Sequence, residues 1–263
     1  MTETPRPAPA KATELLRLHH DPTLLTVVNV WDVISATVVA DVPGTAALAT
    51  ASHSIAASWG YPDGEKIPLD LMLDSVARIA AATDLPVTAD LEGGYGDAPE
   101  TVRRAIGLGV VGANIEDQLK PTAEAARQVE AIMKAAEAEG VGDFVLNART
   151  DTFHLRRKID PSINIEESIE RGRAYLDAGA PVVFVPARLT EDQVAELVAA
   201  FGPQRLSMIG IPGVPSLARL EELGVARVSY GPMSQNVALT ALQELVEDVH
   251  RGGGVPSTMR LLN

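Results

Sequence analysis

The chain has 263 residues, of which 46% are hydrophobic but only 4% aromatic, and it contains no cysteine. The 22 basic and 35 acidic residues give a formal net charge of -13, which argues against nucleic acid and anionic membranes as partners. Without cysteine there is no disulfide, no thiolate nucleophile and no thiolate metal ligand. No apolar run approaches the roughly 18 residues of a membrane span. The start "MTETPRPAPAKATE" lacks the apolar core of a signal peptide, so we expect a cytoplasmic protein.

In chain order, residues 1–10 are expected to be disordered and residues 11–20 to form a short leading helix. Apolar runs typical of buried strands then alternate with segments of helical spacing. The predicted strands are 24–30, 45–52, 85–90, 112–117, 144–151, 181–187, 205–210 and 226–231. The helices predicted to follow them are 33–41, 69–83, 98–109, 122–140, 165–179, 190–202, 216–224 and 233–252.

This alternation predicts the fold. Strands that alternate with helices indicate a parallel sheet, and eight such units predict closure into a (β/α)8 TIM barrel. We expect this barrel to occupy residues 11–263 as a single domain. An open doubly wound sheet is the alternative. The glycine fingerprint of dinucleotide-binding sheets is absent after the first strand, where the chain reads "NVWDVIS".

Acidic residues stand at the carboxyl ends of the predicted strands, where barrel enzymes place their catalytic groups. Asp90 and Glu92 end the third strand, Glu116 ends the fourth, and Asp63 follows the second. Like charges at this density repel one another unless a cation offsets them. Oxygen ligands favour Mg²⁺, with Mn²⁺ as the alternative. Arg149, at the end of the fifth strand, is suited to bind a carboxylate or phosphoryl group of a small anion.

Plainer interpretations remain open for single residues. An aspartate at a strand end is often a helix cap or a solvated loop residue, and Asp117 and Asp151 fit that interpretation. His53 is as compatible with a packed loop as with a ligand contact. The segment "GIPGVPS" resembles a phosphate-binding turn, but its two prolines remove amide donors.

The segments "SIAASWGYPDGE", "VTADLEGGYGD", "GANIEDQ" and "NARTD" together resemble the isocitrate lyase / phosphoenolpyruvate mutase superfamily over nearly the whole chain. The resemblance is to its phosphoenolpyruvate phosphonomutase-like branch. It implies a Mg²⁺-dependent (β/α)8 barrel that makes or breaks C–C or P–C bonds next to a 2-oxo acid. An enolate-type intermediate and a homo-oligomer, a dimer or a tetramer, are implied as well.

The resemblance also implies roles for the acidic residues. Asp90 takes the place of the direct metal ligand. Glu92, Glu116 and Asp63 match the carboxylates that hold the waters of the metal.

Substrate binding is implied for three further positions. Arg149 matches the catalytic arginine that binds the carboxylate or phosphoryl end of the substrate. Ser52 and His53 fall where the family holds the carboxylate of the pyruvyl group.

The chain departs from the family pattern after the fourth strand. The lyase motif K-K-C-G-H is missing, and "EDQLKPTAEAAR" enters a helix at about residue 122. Only Lys120 is a candidate remnant of the lysine found in longer lids. A short lid shields reactive intermediates poorly from water, which favours hydrolysis or decarboxylation over isomerisation. The family's exchanged C-terminal helix would have to come from the short tail after Arg251, which argues against exchange but not against an oligomer on the same face.

The leading hypothesis is therefore a phosphoenolpyruvate mutase-like enzyme acting on a small 2-oxo acid or its phospho or phosphono relative. One alternative is a 2-oxo acid decarboxylase or a methylisocitrate-lyase-like enzyme whose proton donor is Tyr95 or water. Another is a barrel that binds metal and 2-oxo acid without turnover. A Schiff-base aldolase is disfavoured because no lysine stands at the carboxyl end of a predicted strand.

Overall fold

The computed structural model describes residues 7–155 and 160–262. Within them, parallel strands form one sheet in the order β1-β9-β8-β7-β6-β5-β4-β3-β2. The strands are β1 Leu25–Val27, β2 Asn29–Val30, β3 Leu48–Thr50, β4 Val87–Asp90, β5 Gly112–Glu116, β6 Val145–Arg149, β7 Val182–Val185, β8 Leu206–Ile209 and β9 Arg227–Ser229. The helices are α1 Ala8–His20, α2 Val33–Ala40, α3 Ser52–Ser58, α4 Leu69–Ala81, α5 Ala98–Gly107, α6 Thr122–Ala138, α7 Thr152–Leu155, α8 Pro161–Asp177, α9 Glu191–Phe201, α10 Leu217–Glu222 and α11 Met233–His250.

The two ends of this sheet are halves of one strand. Only Val28 separates β1 from β2, and β1 pairs with β9 while β2 pairs with β3. The first strand thus bonds a neighbour on each side, and the sheet closes into an eight-stranded barrel. The predicted (β/α)8 fold is confirmed, and each of the eight predicted strands lies where it was expected.

Helix α1 closes the bottom of the barrel. It begins at Ala8, so residues 8–10 are helical and do not belong to a disordered segment, while residues 1–6 lie outside the described residues. Leu15 and His19 of this helix are fully buried. A Cβ built on Gly112 of β5 would lie 2.9 Å from Leu15 Cδ2, so Leu15 reaches the inside of the barrel.

Side chains alternate between the inside and the outside of the barrel. Val228 of β9 packs outward in one cluster with Val194 and Leu197 of α9. Its neighbours Arg227 and Ser229 therefore point inward, because successive residues of a strand face opposite sides. The register around the barrel gives the following inward-facing polar residues: Asn29, Thr88, Asp90, Asn114, Glu116, Asn147, Arg149, Ser207, Arg227 and Ser229. The barrel thus carries an unusually polar interior beneath its mouth.

The last helix packs poorly against its own barrel. Gln235 is the buried residue of α11, and most of the rest of the helix is exposed. Its apolar stripe, which we call the α11 stripe, consists of Val237, Ala238, Ala241, Leu242, Leu245, Val246 and Val249. Neither α11 nor another helix of the described residues is long and apolar enough to cross a membrane.

Candidate active site

Asp90 lies at the carboxyl end of β4, in the mouth of the barrel. Its Oδ2 atom accepts hydrogen bonds from the backbone N–H of Ser52, at 3.0 Å, and from Ser52 Oγ, at 2.7 Å. Its backbone N–H donates to Thr50 Oγ1 over 2.9 Å. The other carboxylate oxygen, Oδ1, is buried and has no hydrogen-bond partner among the described residues. A buried acceptor of this kind is costly unless something binds it.

Glu92 is held beneath the rim of the mouth. It adopts a left-handed conformation with φ of 53°, which turns its side chain inward after β4 has ended. Tyr95 Oη donates to Glu92 Oε1 over 2.9 Å, and the Glu65 backbone N–H donates to Oε2. Burial raises the pKa of Glu92, with these two hydrogen bonds opposing the shift.

The glycines after Glu92 permit this turn. A Cβ on Gly93 would lie 2.2 Å from Gln118 Nε2, and Gly94 has a φ of 91°. Gly94 is required by its positive φ and by the close backbone of Ala98, whereas a side chain at Gly93 would have to displace the end of the Gln118 side chain.

Glu116 and Arg149 form an ion pair on neighbouring strands. The register places them opposite each other, and Arg149 Nη1 lies 2.6 Å from Glu116 Oε1. Arg149 Nε and Nη2 both bond Asp151 Oδ1 at 2.8 Å. Burial raises the pKa of Glu116 to about 8, against the effect of Arg149, and the charges of Asp151 and Asp90 add to the rise.

The mouth therefore carries more negative than positive charge. Glu116 and Asp151 contact the guanidinium of Arg149, and the charges of Asp90 and Glu92 act on Glu116. Burial raises the pKa of Glu92, Glu116 and Asp151. A divalent cation would offset this repulsion. Among the described residues no three His, Cys, Asp or Glu side chains converge as a ready-made cluster. The donor that the described residues leave unpartnered for a cation is the buried Asp90 Oδ1.

Three predicted residues lie at the rim, with different contacts. His53 Nδ1 lies 3.5 Å from Asp63 Oδ2, and both side chains are about half exposed. Asp63 thus pairs with His53 and acts on Glu92 only through its charge. Ser52, expected to contact substrate, binds Asp90. It does so from the start of α3, a short helix absent from the predicted elements.

The loop after β5 is as short as the sequence indicates, because α6 begins at Thr122. Lys120 Nζ donates to Gln128 Oε1 of α6 over 2.9 Å, so this lysine is directed towards the helix. That contact does not support Lys120 as a remnant of a lid.

Asp117 anchors this loop from below. Its Oδ2 accepts from Tyr175 Oη at 2.6 Å and from Arg171 Nη1 at 3.2 Å, while Oδ1 accepts from the backbone of Leu119 and Asp151. These hydrogen bonds hold the loop in place, which agrees with the interpretation of Asp117 as a turn or cap residue.

Three residues of the site region were not predicted as site residues. Asp151, which the sequence suggests is a turn residue, accepts a hydrogen bond from Arg149. Glu65 Oε1 accepts a hydrogen bond from the backbone N–H of Tyr95 over 2.6 Å. Arg227 lies buried inside the barrel. The sequence feature that could have indicated this buried arginine is its position within the predicted strand "ARVSYG".

Comparison with known proteins identifies the family of this chain. The phosphoenolpyruvate phosphomutase family matches residues 15–250. An uncharacterised protein of Mycobacterium tuberculosis is 32% identical over 247 residues, covering 92% of this chain and 91% of that protein.

Solved structures extend the comparison. A Burkholderia cenocepacia protein provisionally described as a phosphonomutase is 41% identical, with a TM-score of 0.84 and coverage of 90% of this chain and 99% of that one. Oxaloacetate acetylhydrolase, solved with its product oxalate, is 27% identical, with a TM-score of 0.84 and coverage of 97% and 92%. The chain belongs to the phosphoenolpyruvate phosphomutase family, within the isocitrate lyase / phosphoenolpyruvate mutase superfamily of enzymes.

Proposed function

We propose that this chain is a Mg²⁺-dependent enzyme, with Mn²⁺ as the alternative metal, that cleaves a bond next to the carbonyl of a small 2-oxo acid through an enolate-type intermediate. The observation that carries the proposal is the buried Asp90 Oδ1, which has no hydrogen-bond partner in the described part of the chain and lies near other carboxylates. Asp90 would hold the metal directly, and Glu92 and Glu116 would hold its waters. Such a metal, when bound, polarises the carbonyl and stabilises charge on the enolate oxygen.

The remaining residues of the mouth would bind and orient the substrate. Arg149 would take the carboxylate or phosphoryl group far from the reacting bond, because a guanidinium binds such groups with two parallel hydrogen bonds. Ser52 orients Asp90, and with His53 it would also approach the near carboxylate. Asp63, on the rim, would act on the waters of the metal.

The short loop after β5 favours cleavage of an oxaloacetate-like acid, by hydrolysis or decarboxylation, over isomerisation. Isomerisation requires a site that excludes water, and only residues 117–121 separate β5 from α6. The similarity to oxaloacetate acetylhydrolase supports the same substrate class.

P–C bond chemistry on a phospho or phosphono acid is the second candidate. The family match and the 41% identical Burkholderia protein favour it. A methylisocitrate-lyase-like reaction would need a proton donor other than cysteine. Burial raises the pKa of Tyr95, whose hydroxyl already donates to Glu92, so water is the better candidate donor.

A substrate screen tests the proposal. The purified protein is incubated with oxaloacetate, phosphonopyruvate, phosphoenolpyruvate, 2-methylisocitrate and dimethylmalate, with Mg²⁺ or with excess chelator. We expect Mg²⁺-dependent turnover of oxaloacetate or a close relative, and loss of that turnover in Asp90→Ala.

The screen separates the alternatives. Turnover of phosphonopyruvate or phosphoenolpyruvate alone would replace the leading proposal by P–C chemistry. Absence of turnover, with metal-dependent binding of oxalate as an enolate mimic, would leave a barrel that binds without catalysis. Turnover that survives chelation would contradict the metal role of Asp90.

The assembly proposed is a homo-oligomer, a dimer or a tetramer. The α11 stripe is exposed, with Val237 71% and Leu242 56% accessible. It is continuous with a groove of about 600 Å³ between α2 and α11, to which Ile34, Val38 and Val237 contribute. Covering this surface with a second copy removes apolar area from water. The cytoplasmic location stays a prediction from the composition.

A further inference from the structure

The barrel interior beneath Asp90 contains a fully buried arginine. Arg227 is 0% exposed, and its Nε, Nη1 and Nη2 atoms have no hydrogen-bond partner among the described residues. A guanidinium carries five N–H donors and remains charged in proteins. Burying such a charge is costly unless it is paired and hydrogen-bonded.

Further buried polar atoms of the barrel interior and of helix α1 have no hydrogen-bond partner among the described residues. They are Thr88 Oγ1, Asn147 Oδ1, Ser207 Oγ and His19 Nε2, and each is buried. The register pairs Ser207 with Arg227, and around the tilted barrel it places Thr88, Asn147 and Ser207 at one level. That level lies above Arg227 and below Asp90. Among the described residues, unpartnered polar atoms thus occur at Arg227, at the level above it and at Asp90 Oδ1, and the level of Asn114 and Ser229 lies between the last two.

The donor and acceptor capacity of these atoms indicates which molecule could bridge them by hydrogen bonds. Arg227 only donates, Asp90 Oδ1 and Asn147 Oδ1 only accept, and the hydroxyls do both. A bound anion would satisfy the donors and leave the acceptors unpaired. Water satisfies both kinds, and a buried water typically makes about three hydrogen bonds to such groups.

The two ends of this array carry opposite charges. Burial lowers the pKa of Arg227 to about 10, and the charge of Asp90 works in the opposite direction. Arg227 therefore stays positive at neutral pH, and Asp90 is within its electrostatic reach.

We propose that Arg227 is the internal counter-charge of Asp90, connected to it through water in the barrel core, and that this pair sets how tightly Asp90 binds a divalent cation. The second part rests on the proposed function, in which Asp90 is the metal ligand. Arg227 lies below the mouth, so it is a positioning residue. A fixed positive charge beneath Asp90 repels a second cation above it, so Arg227 weakens metal binding.

Metal affinity provides the first test. The dissociation constant for Mn²⁺ alone is measured by electron paramagnetic resonance on the wild type, Arg227→Met, Arg227→Lys and Arg173→Met. We expect Arg227→Met to bind Mn²⁺ at least ~10-fold more tightly, because a charge near the ion is removed. Arg227→Lys keeps the charge and should stay within about 3-fold of the wild type. Arg173, exposed on α8, controls for the change in net charge and should have no effect.

Structural damage would move this affinity in the opposite direction. An unchanged or weaker Mn²⁺ affinity in folded Arg227→Met, or a Lys variant that behaves like Met, would overturn the effect on the metal.

A metal-free double-mutant cycle provides the second test. Unfolding by urea is measured for the wild type, Asp90→Asn, Arg227→Met and the double variant. If the pair exists, Arg227→Met should disfavour folding at least ~10-fold more with Asp90 than with Asn at that position. If Arg227→Met folds in neither background, Arg227→Gln replaces it. Equal effects in the two backgrounds would refute the charge pair.

These tests separate the inference from the proposed function. A wild type that does not bind Mn²⁺ contradicts the metal role of Asp90, while the cycle still decides whether the charge pair exists. A wild type that binds Mn²⁺ but shows no coupling in the cycle leaves the proposed function intact and removes this inference.

Discussion

Asp90 and Asp97 lie seven positions apart and use the same side chain for different purposes. Asp97 Oδ1 accepts a hydrogen bond from the Glu100 backbone N–H, at 3.1 Å, and caps helix α5. One carboxylate oxygen of Asp90 accepts hydrogen bonds from Ser52, and the other is buried with no partner in residues 7–155 and 160–262. The residue type is the same, and the surroundings decide which aspartate can bind an ion.

This pair gives a matched test. We expect Asp90→Asn to weaken Mn²⁺ binding by more than ~100-fold, beyond the cost of losing an outer-shell partner. Asp97→Asn should leave it unchanged, because asparagine also caps helices. Isothermal titration of both variants measures the difference, and equal losses would remove Asp90 from the metal site.

Arg149 allows a test of substrate binding. Arg149→Lys keeps the charge near Glu116 and Asp151 but loses the planar fork. We expect metal-dependent oxalate binding to weaken about 10-fold, since a hydrogen bond to a charged group contributes ~1.5–3 kcal/mol. Arg219→Lys, on exposed α10, is the control. Unchanged oxalate affinity in Arg149→Lys would argue against a bidentate contact.

At the scale of elements, the loop after β5 and helix α11 distinguish this chain from a generic barrel. The loop is short and is anchored by Asp117 to Arg171 and Tyr175 of α8. Helix α11 extends from the barrel with its apolar stripe exposed. The first element adds no lid over the mouth, and the second leaves an apolar surface exposed among the described residues.

The anchor of the loop can be weakened by one hydroxyl. Tyr175→Phe removes the 2.6 Å hydrogen bond to buried Asp117 and should lower the free energy of unfolding by about 1–3 kcal/mol. Tyr61→Phe, at a half-buried position of the rim, should cost less than about 0.5 kcal/mol. Urea unfolding compares the two variants, and similar values would mean that the hydroxyl does not hold the loop.

The α11 stripe can be tested by charge. Leu242→Lys places a charge in the middle of the stripe and should shift the protein to a smaller assembly, because a charge buried at an apolar interface is unfavourable. Thr240→Lys makes the same change on the opposite side of the helix and should leave the assembly intact. Light scattering after size exclusion measures the mass. An unchanged mass in Leu242→Lys would exclude the stripe as the interface.

At the scale of the whole molecule, the bottom of the barrel couples stability to pH. His19 is fully buried in α1, and its Nδ1 bonds Leu15 O over 2.8 Å. Burial lowers the pKa of His19 to about 3, and the charges of Arg227 and His20 act in the same direction. The folded protein therefore keeps this imidazole neutral at and below neutral pH, down to well under the pKa of a free histidine.

The sign of the pH effect follows from the unfolded chain, where histidine titrates near 6.5. Above that pH neither state binds the proton, and His19 has no effect on pH dependence. Below it only the unfolded chain binds the proton, so stability falls by ~1.4 kcal/mol per pH unit, or about 2 kcal/mol at pH 5. Comparing urea unfolding of the wild type and His19→Gln at pH 7.5 and 5.0 isolates this contribution, and identical pH dependence would contradict it.

The sequence by itself determined the barrel and the candidate residues at its mouth. Apolar runs alternating with amphipathic segments specify strands and helices locally, and eight repeats leave closure as the way to bury both faces. Position in the chain also places Asp90, Glu116 and Arg149 at strand ends, because parallel strands all end at one face. The helical start at Ala8 and the short helix α3 escaped prediction because neither has a long periodic pattern.

Only the tertiary structure decided which polar atoms meet. Ser52 contacts Asp90 across 38 residues of sequence, and Asp63 pairs with His53 at the rim. Arg227 lies several levels beneath Asp90 because the tilt of the strands staggers the residues of distant strands along the barrel axis, which no local pattern encodes. Contacts between strands decide where each polar side chain points and how deeply it is buried. These two properties in turn decide its pKa and its hydrogen-bond partners. Composition and periodicity therefore predict the fold, while the chemistry of its interior depends on the register of the closed barrel.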